Sequence, residues 1–176
     1  IDNCHSVPFG DWKAFEKFIE SRCSGNTSEN DIIAIILEAV NSKRVIIPSN
    51  EYFKNVIRMC DENKIRLIID EVFMGFGRQG KMFAFEHSGV IPDIFTVAKS
   101  LGGGKATVGA YIVRDDVFKT AIRNINDYSF HTSSFSAMGE ECYTAVESIN
   151  IMVEEKLPEN SNSMGGYMRE ELLDLK

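Results

Sequence analysis

Three ionisable residues stand where apolar runs end. Glu38 closes the run in DIIAIILEAV, Asp70 closes RLIID, and Lys99 follows DIFTVA directly before the glycine-rich SLGGG. Continuous apolar runs of this length read as strands buried on both faces of a parallel sheet. In open α/β sheets, ligands bind beyond the carboxyl ends of the strands. The three groups are therefore expected to converge on one sheet edge and to form a functional site.

Two chemistries compete for such a set. LIIDE alone resembles the magnesium-binding strand of a nucleotide hydrolase, but that reading needs a GxxxxGK[ST] phosphate loop earlier in the chain. The nearest candidate, KSLGGGKA, comes after the Asp, has Lys99 where the first Gly belongs and has Ala106 where the hydroxyl belongs. Those mismatches disfavour the ATPase reading, which magnesium-dependent ATP binding would test. Pyridoxal phosphate makes different demands: a lysine to form a Schiff base with its aldehyde, a carboxylate to keep its pyridine nitrogen protonated, and donors for its phosphate. Lys99 and Asp70 are candidates for the first two.

The elements that must position these groups alternate in type. Asp11 is placed to cap an amphipathic helix carrying Trp12, Phe15, Phe18 and Ile19, which the polar SGNTSEN run ends. Helical spacing recurs over residues 49–63 through Tyr52, Val56, Ile57 and Cys60, and DDVFKTAIRNI reads as a helix with an acidic first turn. A long helix is predicted from Ala137 to about Lys156, then a break at PENSNS, then a final helix from about Met164. Alternating strands and helices imply an α/β fold, a three-layer α/β/α arrangement around a largely parallel sheet. The PENSNS break is the expected boundary between residues 1–157 of one domain and residues 158–176, a linker and the start of another.

Bulk properties narrow the partners. The chain has 176 residues, 44% hydrophobic and 26% charged, which suits one globular unit. A formal net charge of −7 argues against a nucleic-acid or anionic-membrane surface, both of which call for clustered Lys and Arg. Small molecules are the expected partners. Cys4, Cys23, Cys60 and Cys142 form no CxxC pair, so no zinc site or disulfide framework is expected. Reduced thiols, no signal-peptide pattern and no apolar run of about 18 residues lead to an expected cytoplasmic location. The start at Ile1 and the helix-like close YMREELLDLK read as cut ends.

The stretch IIDEVFMGFGRQGKMFAFEHSGVIPDIFTVAKSLGGG, with its 29-residue step from Asp70 to Lys99, closely resembles the signature of the class III aminotransferases, pyridoxal-phosphate enzymes of fold type I. The likeness extends more weakly from VPFGDWKAF through ILEAV to FHTSSFSAM. It implies that Lys99 holds the cofactor and shuttles the proton once a substrate displaces it. It implies that Asp70 pairs with the pyridine nitrogen and that Val72, two residues on and so on the same strand face, packs on the ring. Ser134, in HTSSF, stands where the family usually has a Thr that binds the cofactor phosphate of the neighbouring subunit, which implies a homodimer with shared sites. The glycines 102–104 are expected to be structural, and Arg78 and Gly80 are given no catalytic part.

The implied reaction moves an amino group from an amine or amino acid donor to a keto acid or aldehyde acceptor. An aminomutase, racemase or lyase of the same fold, and a non-catalytic truncated homologue, are the alternatives. The chain also departs from the family. Phe73 replaces the usual Gln that contacts the cofactor's phenolic oxygen, Ala39 replaces a Pro after Glu38, and Lys43 stands where many relatives carry a Glu. The family's upstream phosphate loop and stacking aromatic, and its downstream substrate-binding arginine, fall outside these 176 residues, so the large domain is expected to be incomplete at both ends and the fragment alone inactive.

Overall fold

Asp11 acts as predicted. In the computed structural model, which describes residues 3–23, 32–130 and 133–175, Asp11 Oδ1 accepts a hydrogen bond from the Ala14 amide at 3.0 Å at the head of α1 (Trp12–Cys23). Ser49 Oγ accepts one from the Tyr52 amide at 3.1 Å at the head of α2 (Asn50–Glu62). Each bond satisfies one of the amides that a helix start leaves without a partner, an effect of about 1 kcal/mol. Along α2, Tyr52, Phe53, Val56 and Cys60 are buried, one stripe at helical spacing. SGNTSEN, expected to end α1, lies outside the described residues.

The sheet follows the order β1 (Ala34–Glu38), β2 (Arg66–Asp70), β3 (Ile94–Val97), β4 (Ala110–Val113). The first three strands run parallel and β4 is antiparallel to β3. The expected α/β class with a largely parallel sheet holds. The exception at β4 has a simple cause: the chain returns from β3 through a short 3-10 turn and glycines, whereas a parallel return needs a long crossover.

Strand alternation divides the sheet into two unlike faces. Ile35 pairs with Leu67 and Leu37 with Ile69, and this side packs on α1 and α2 around Ile19, Val56 and Cys60. Ile69 is fully buried, and a side chain of this kind contributes roughly 1.5–3 kcal/mol by leaving water. On the other side Ile36, Ile68 and Ile94 share a register row, and Ile36 is 65% exposed. The expectation that β1 is buried on both faces is therefore corrected. In this chain β1 is an edge strand with one open face, and a continuous apolar run does not reveal which neighbours cover it.

Two further corrections concern the C-terminal half. The helix predicted for DDVFKTAIRNI is shorter: α3 spans Asp115–Ala121 and a 3-10 segment takes over at Ile125–Phe130. The break predicted at PENSNS lies earlier. Helix α4 (Gly139–Glu154) ends at Glu155, Lys156 takes a left-handed conformation with φ 53°, and α5 (Leu157–Asp174) begins at once, so PENSNS forms its first turns. The physical reason is that proline fits the first turn of a helix, where its missing N–H would be unpartnered anyway. Pro158 is a start signal here, and the polar residues after it do not interrupt the helix. No described helix is long and apolar enough to cross a membrane.

Candidate active site

Two adjacent carboxylates at the end of β2 meet opposite fates. Asp70 is on the row of Ile68 and pairs in register with Thr96 of β3, so it belongs to the open face. Its Oδ1 accepts hydrogen bonds from the Val72 amide at 2.9 Å and from Thr96 Oγ1 at 3.3 Å. Among the described residues both bonds to its carboxylate fall on Oδ1, which leaves Oδ2 as an open acceptor. The side chain is thus oriented by its own chain and still has one oxygen to offer.

Glu71 is wholly buried. The amides of Ala84 and Phe85 donate to its two oxygens at 3.1 and 2.9 Å, which ties the GFGRQGKMFAFEH loop to the end of β2. Burial pushes its carboxyl above the usual range; the two amide bonds work in the opposite direction, and the charges of Asp70 and Glu86 add to the rise. Glu71 is a structural anchor, while its neighbour faces the site.

Lys99 begins the 3-10 turn Lys99–Gly102 after β3, with φ 50°. A non-glycine residue in the left-handed region costs on the order of 1 kcal/mol or more and persists where surrounding structure enforces it, often at functional sites. The enforcement is visible. Gly103 continues the turn at φ 58°, and a Cβ there would stand 3.1 Å from Ser148 Oγ of α4. That hydroxyl donates to the Ser100 carbonyl at 3.2 Å, and Val97, Leu101 and Ala145 pack together beneath. The turn is clamped onto α4, and Lys99 is presented at a strand end next to that of Asp70. Among the described residues no ion pair joins the two. Lys99 Nζ lies instead 4.9 Å from the centroid of the Phe73 ring.

The remaining expected site residues are placed as follows. Glu38 pairs in register with Asp70, but its carboxylate caps the next turn, accepting from Asn41 Nδ2 at 3.2 Å and the Ser42 amide at 2.9 Å. It shares the sheet edge without presenting a free group, so the expected three-residue convergence reduces to Asp70 and Lys99. Val72 lies past the end of β2, in a turn closed by its own amide on Asp70, so the strand-face reason for its placement does not apply. It stays within two residues of Asp70 and is half-buried. Ser134 is exposed in a turn before α4, and among the described residues its hydroxyl has no partner.

Three residues escaped the sequence reading. Thr96 orients Asp70, and its only signal was a hydroxyl at an alternating position in an apolar strand. Glu71 was passed over because two adjacent acids look equivalent until strand parity separates them. Phe73 was noted as a departure, but its contact with Lys99 depends on a loop path that local spacing does not encode. Cys60, by contrast, offers no nucleophile: it is buried, and burial, with the charges of Asp61 and Asp93, pushes its thiol up to about 12.

A cavity of about 610 Å³ runs beside β1 and reaches Glu38 and Asp70, but Lys99 is not among its walls. The site is assigned by the groups at the strand ends. Their chemistry fits pyridoxal phosphate: an accessible amine for the aldehyde, and an oriented carboxylate with an open oxygen for the pyridine nitrogen.

Known proteins resemble this chain over nearly its whole length. Residues 10–176 match the family model described as aminotransferase class-III. The chain is 38% identical over 172 residues to a putrescine aminotransferase of Pectobacterium atrosepticum, covering 97% of this chain and 36% of that protein. Among solved structures it is similar to the ornithine delta-aminotransferase of Plasmodium falciparum, with a TM-score of 0.83 and 29% identity, covering 99% of this chain and 43% of that one. It is also similar to an ornithine aminotransferase of Toxoplasma gondii whose description reports partial occupancy of PLP at the active site, with a TM-score of 0.81 and 26% identity over 94% of this chain and 36% of that one. The chain thus spans 36% of the length of that putrescine aminotransferase.

Proposed function

The chain belongs to the class III aminotransferase family, and from that premise we propose that it supplies the cofactor-holding strand ends of a pyridoxal-phosphate-dependent transaminase. The observation that carries the reading is the pair at the ends of β2 and β3: Asp70, oriented through Oδ1 with Oδ2 open, and Lys99, held at φ 50° on a clamped turn.

When bound, the cofactor would supply an electron-withdrawing ring that stabilises negative charge at the donor's reacting carbon. This chain's own residues do the rest. Lys99 Nζ would be the attachment point and, when free and neutral, the group that takes and returns the proton. Asp70 Oδ2 would hold a proton at the pyridine nitrogen, aimed by the Val72 amide and Thr96 hydroxyl that fix Oδ1. Val72 would lie against the ring. Ser134, exposed before α4, would donate to the cofactor phosphate of a second copy of the chain, which would make the working unit a homodimer with shared sites.

The donor we propose is a small primary amine or amino acid with a terminal amino group, since the relatives above are named for putrescine and ornithine; the acceptor is a keto acid. The proposed location is cytoplasmic, and α5 is proposed to lead from the large domain into a smaller one. The test is direct. Pyridoxal phosphate is added to the natural full-length protein, the mixture is reduced with borohydride, and the labelled peptide is mapped. Label on Lys99 supports the reading, whereas label scattered over surface lysines, or none, sinks it. A panel of putrescine, ornithine and alanine against keto acids then ranks the donors.

A further inference from the structure

Phe73 occupies an unusual position for an aromatic ring. It is 39% exposed and belongs to neither of the two apolar clusters, so burial does not account for its placement. Two cations account for it instead. Lys99 Nζ lies 4.9 Å from the ring centroid and Arg78 Cζ lies 5.0 Å from it, both inside the distance at which a cation is attracted by an aromatic face. Arg78 is fixed independently, because its Nε donates to the Phe73 carbonyl at 2.8 Å and its own carbonyl accepts from Ser161 Oγ of α5 at 2.9 Å. The ring is therefore braced on one cation and offers its π system to the other. Among the described residues no carboxylate forms an ion pair with Lys99, so the ring is the partner its charge has.

We propose that Phe73 is a positioning residue, a rest that holds the Lys99 amine while that amine carries its proton and is not bonded to the cofactor. The proposal depends on the cofactor reading above, which requires Lys99 to alternate between a bonded and a free state. A lysine side chain with four rotatable bonds loses considerable freedom when confined. A ring that holds the free amine at the strand end keeps it from sweeping away between the two states. Condensation with an aldehyde uses the neutral amine: the ammonium gives a proton to solvent, a C=N bond forms and water leaves, so the ammonium group that the ring attracts is consumed and the rest releases its guest when the cofactor arrives. Arg78 remains on the ring and keeps it in place.

The experiment uses the cofactor-free natural full-length protein and the variants Phe73→Leu, Phe73→Met and Phe73→Trp. Reductive methylation with formaldehyde and cyanoborohydride near neutral pH is read by peptide mapping as the ratio of Lys99 to Lys105 modification. Loss of the ring is expected to raise that ratio about 2- to 5-fold, the equivalent of ~0.5–1 kcal/mol for an exposed cation–π contact. Phe73→Trp is expected to restore the wild-type ratio, which a merely structural role would not do. An unchanged ratio in both ringless variants, or a rise in Phe73→Trp as large as theirs, overturns the proposal. Borohydride labelling of the wild type separates the two readings. Label on Lys99 with an unchanged ratio removes the rest alone, and absence of label on Lys99 removes the cofactor reading and the alternation with it.

Discussion

Asp70→Asn separates the orienting half of this carboxylate from the half that does chemistry. The remaining Asn carbonyl can take over both bonds now made to Oδ1, from the Val72 amide and the Thr96 hydroxyl. The stability change should therefore stay within about 1 kcal/mol, the scale of one net hydrogen bond. On the cofactor side the outcome differs. An amide NH2 replaces Oδ2, so a donor faces the pyridine N–H and the negative charge is gone. A hydrogen bond to a charged group contributes about 1.5–3 kcal/mol, which corresponds to roughly 10- to 150-fold in rate. The assay is the single-turnover rate of the amine half-reaction in the natural full-length protein, with urea unfolding of the same sample and borohydride mapping of Lys99. The expected result is a rate loss in that range, with the unfolding midpoint and the Lys99 label retained. A rate within threefold of wild type would refute the assignment of Oδ2. A stability loss above ~2 kcal/mol would refute the claim that Asn can replace the orienting half.

Two other outcomes follow from the same geometry. Glu71→Gln turns an amide donor toward the Ala84 or Phe85 amide in a wholly buried place, and is expected to cost about 1–3 kcal/mol in urea unfolding. Because burial holds the folded carboxyl of Glu71 above its unfolded value, its contribution is fully present in acid and is lost as pH rises through the folded value. The gap between wild type and Glu71→Gln should be widest at acid pH and narrow toward neutrality, and a gap that widens with pH would contradict this. Gly103→Ala forces a Cβ into a turn at φ 58° and to 3.1 Å from Ser148 Oγ, and is expected to destabilise by about 2 kcal/mol. Unfolding within ~0.5 kcal/mol of wild type would show that the turn is not clamped.

The local chemistry of this chain was legible in its residues. Strand ends at Asp70 and Lys99, the cap at Asp11, and the stripe on α2 all depend on spacing of a few residues, which neighbouring side chains and backbone amides settle among themselves. PENSNS was misread because polar residues after a proline fit a loop and a first helical turn equally well, and the choice falls to packing. There Pro158 is buried against Gly77, and Ser161 holds the Arg78 carbonyl.

What needed the folded chain was everything that depends on register. Parity across β2 sends Asp70 to the open face and Glu71 into the core, although the sequence presents them as equal neighbours. Glu38 lies in the same register row as Asp70 yet spends its carboxylate on a turn. Thr96 stands 26 residues from the Asp70 it orients, and Phe73 the same distance from the Lys99 it faces. Residue types and short spacings specify which groups can react. Only pairing between strands and the path of the connecting loop decide which of those groups meet, because both are set by burial over the whole sheet and by no local preference.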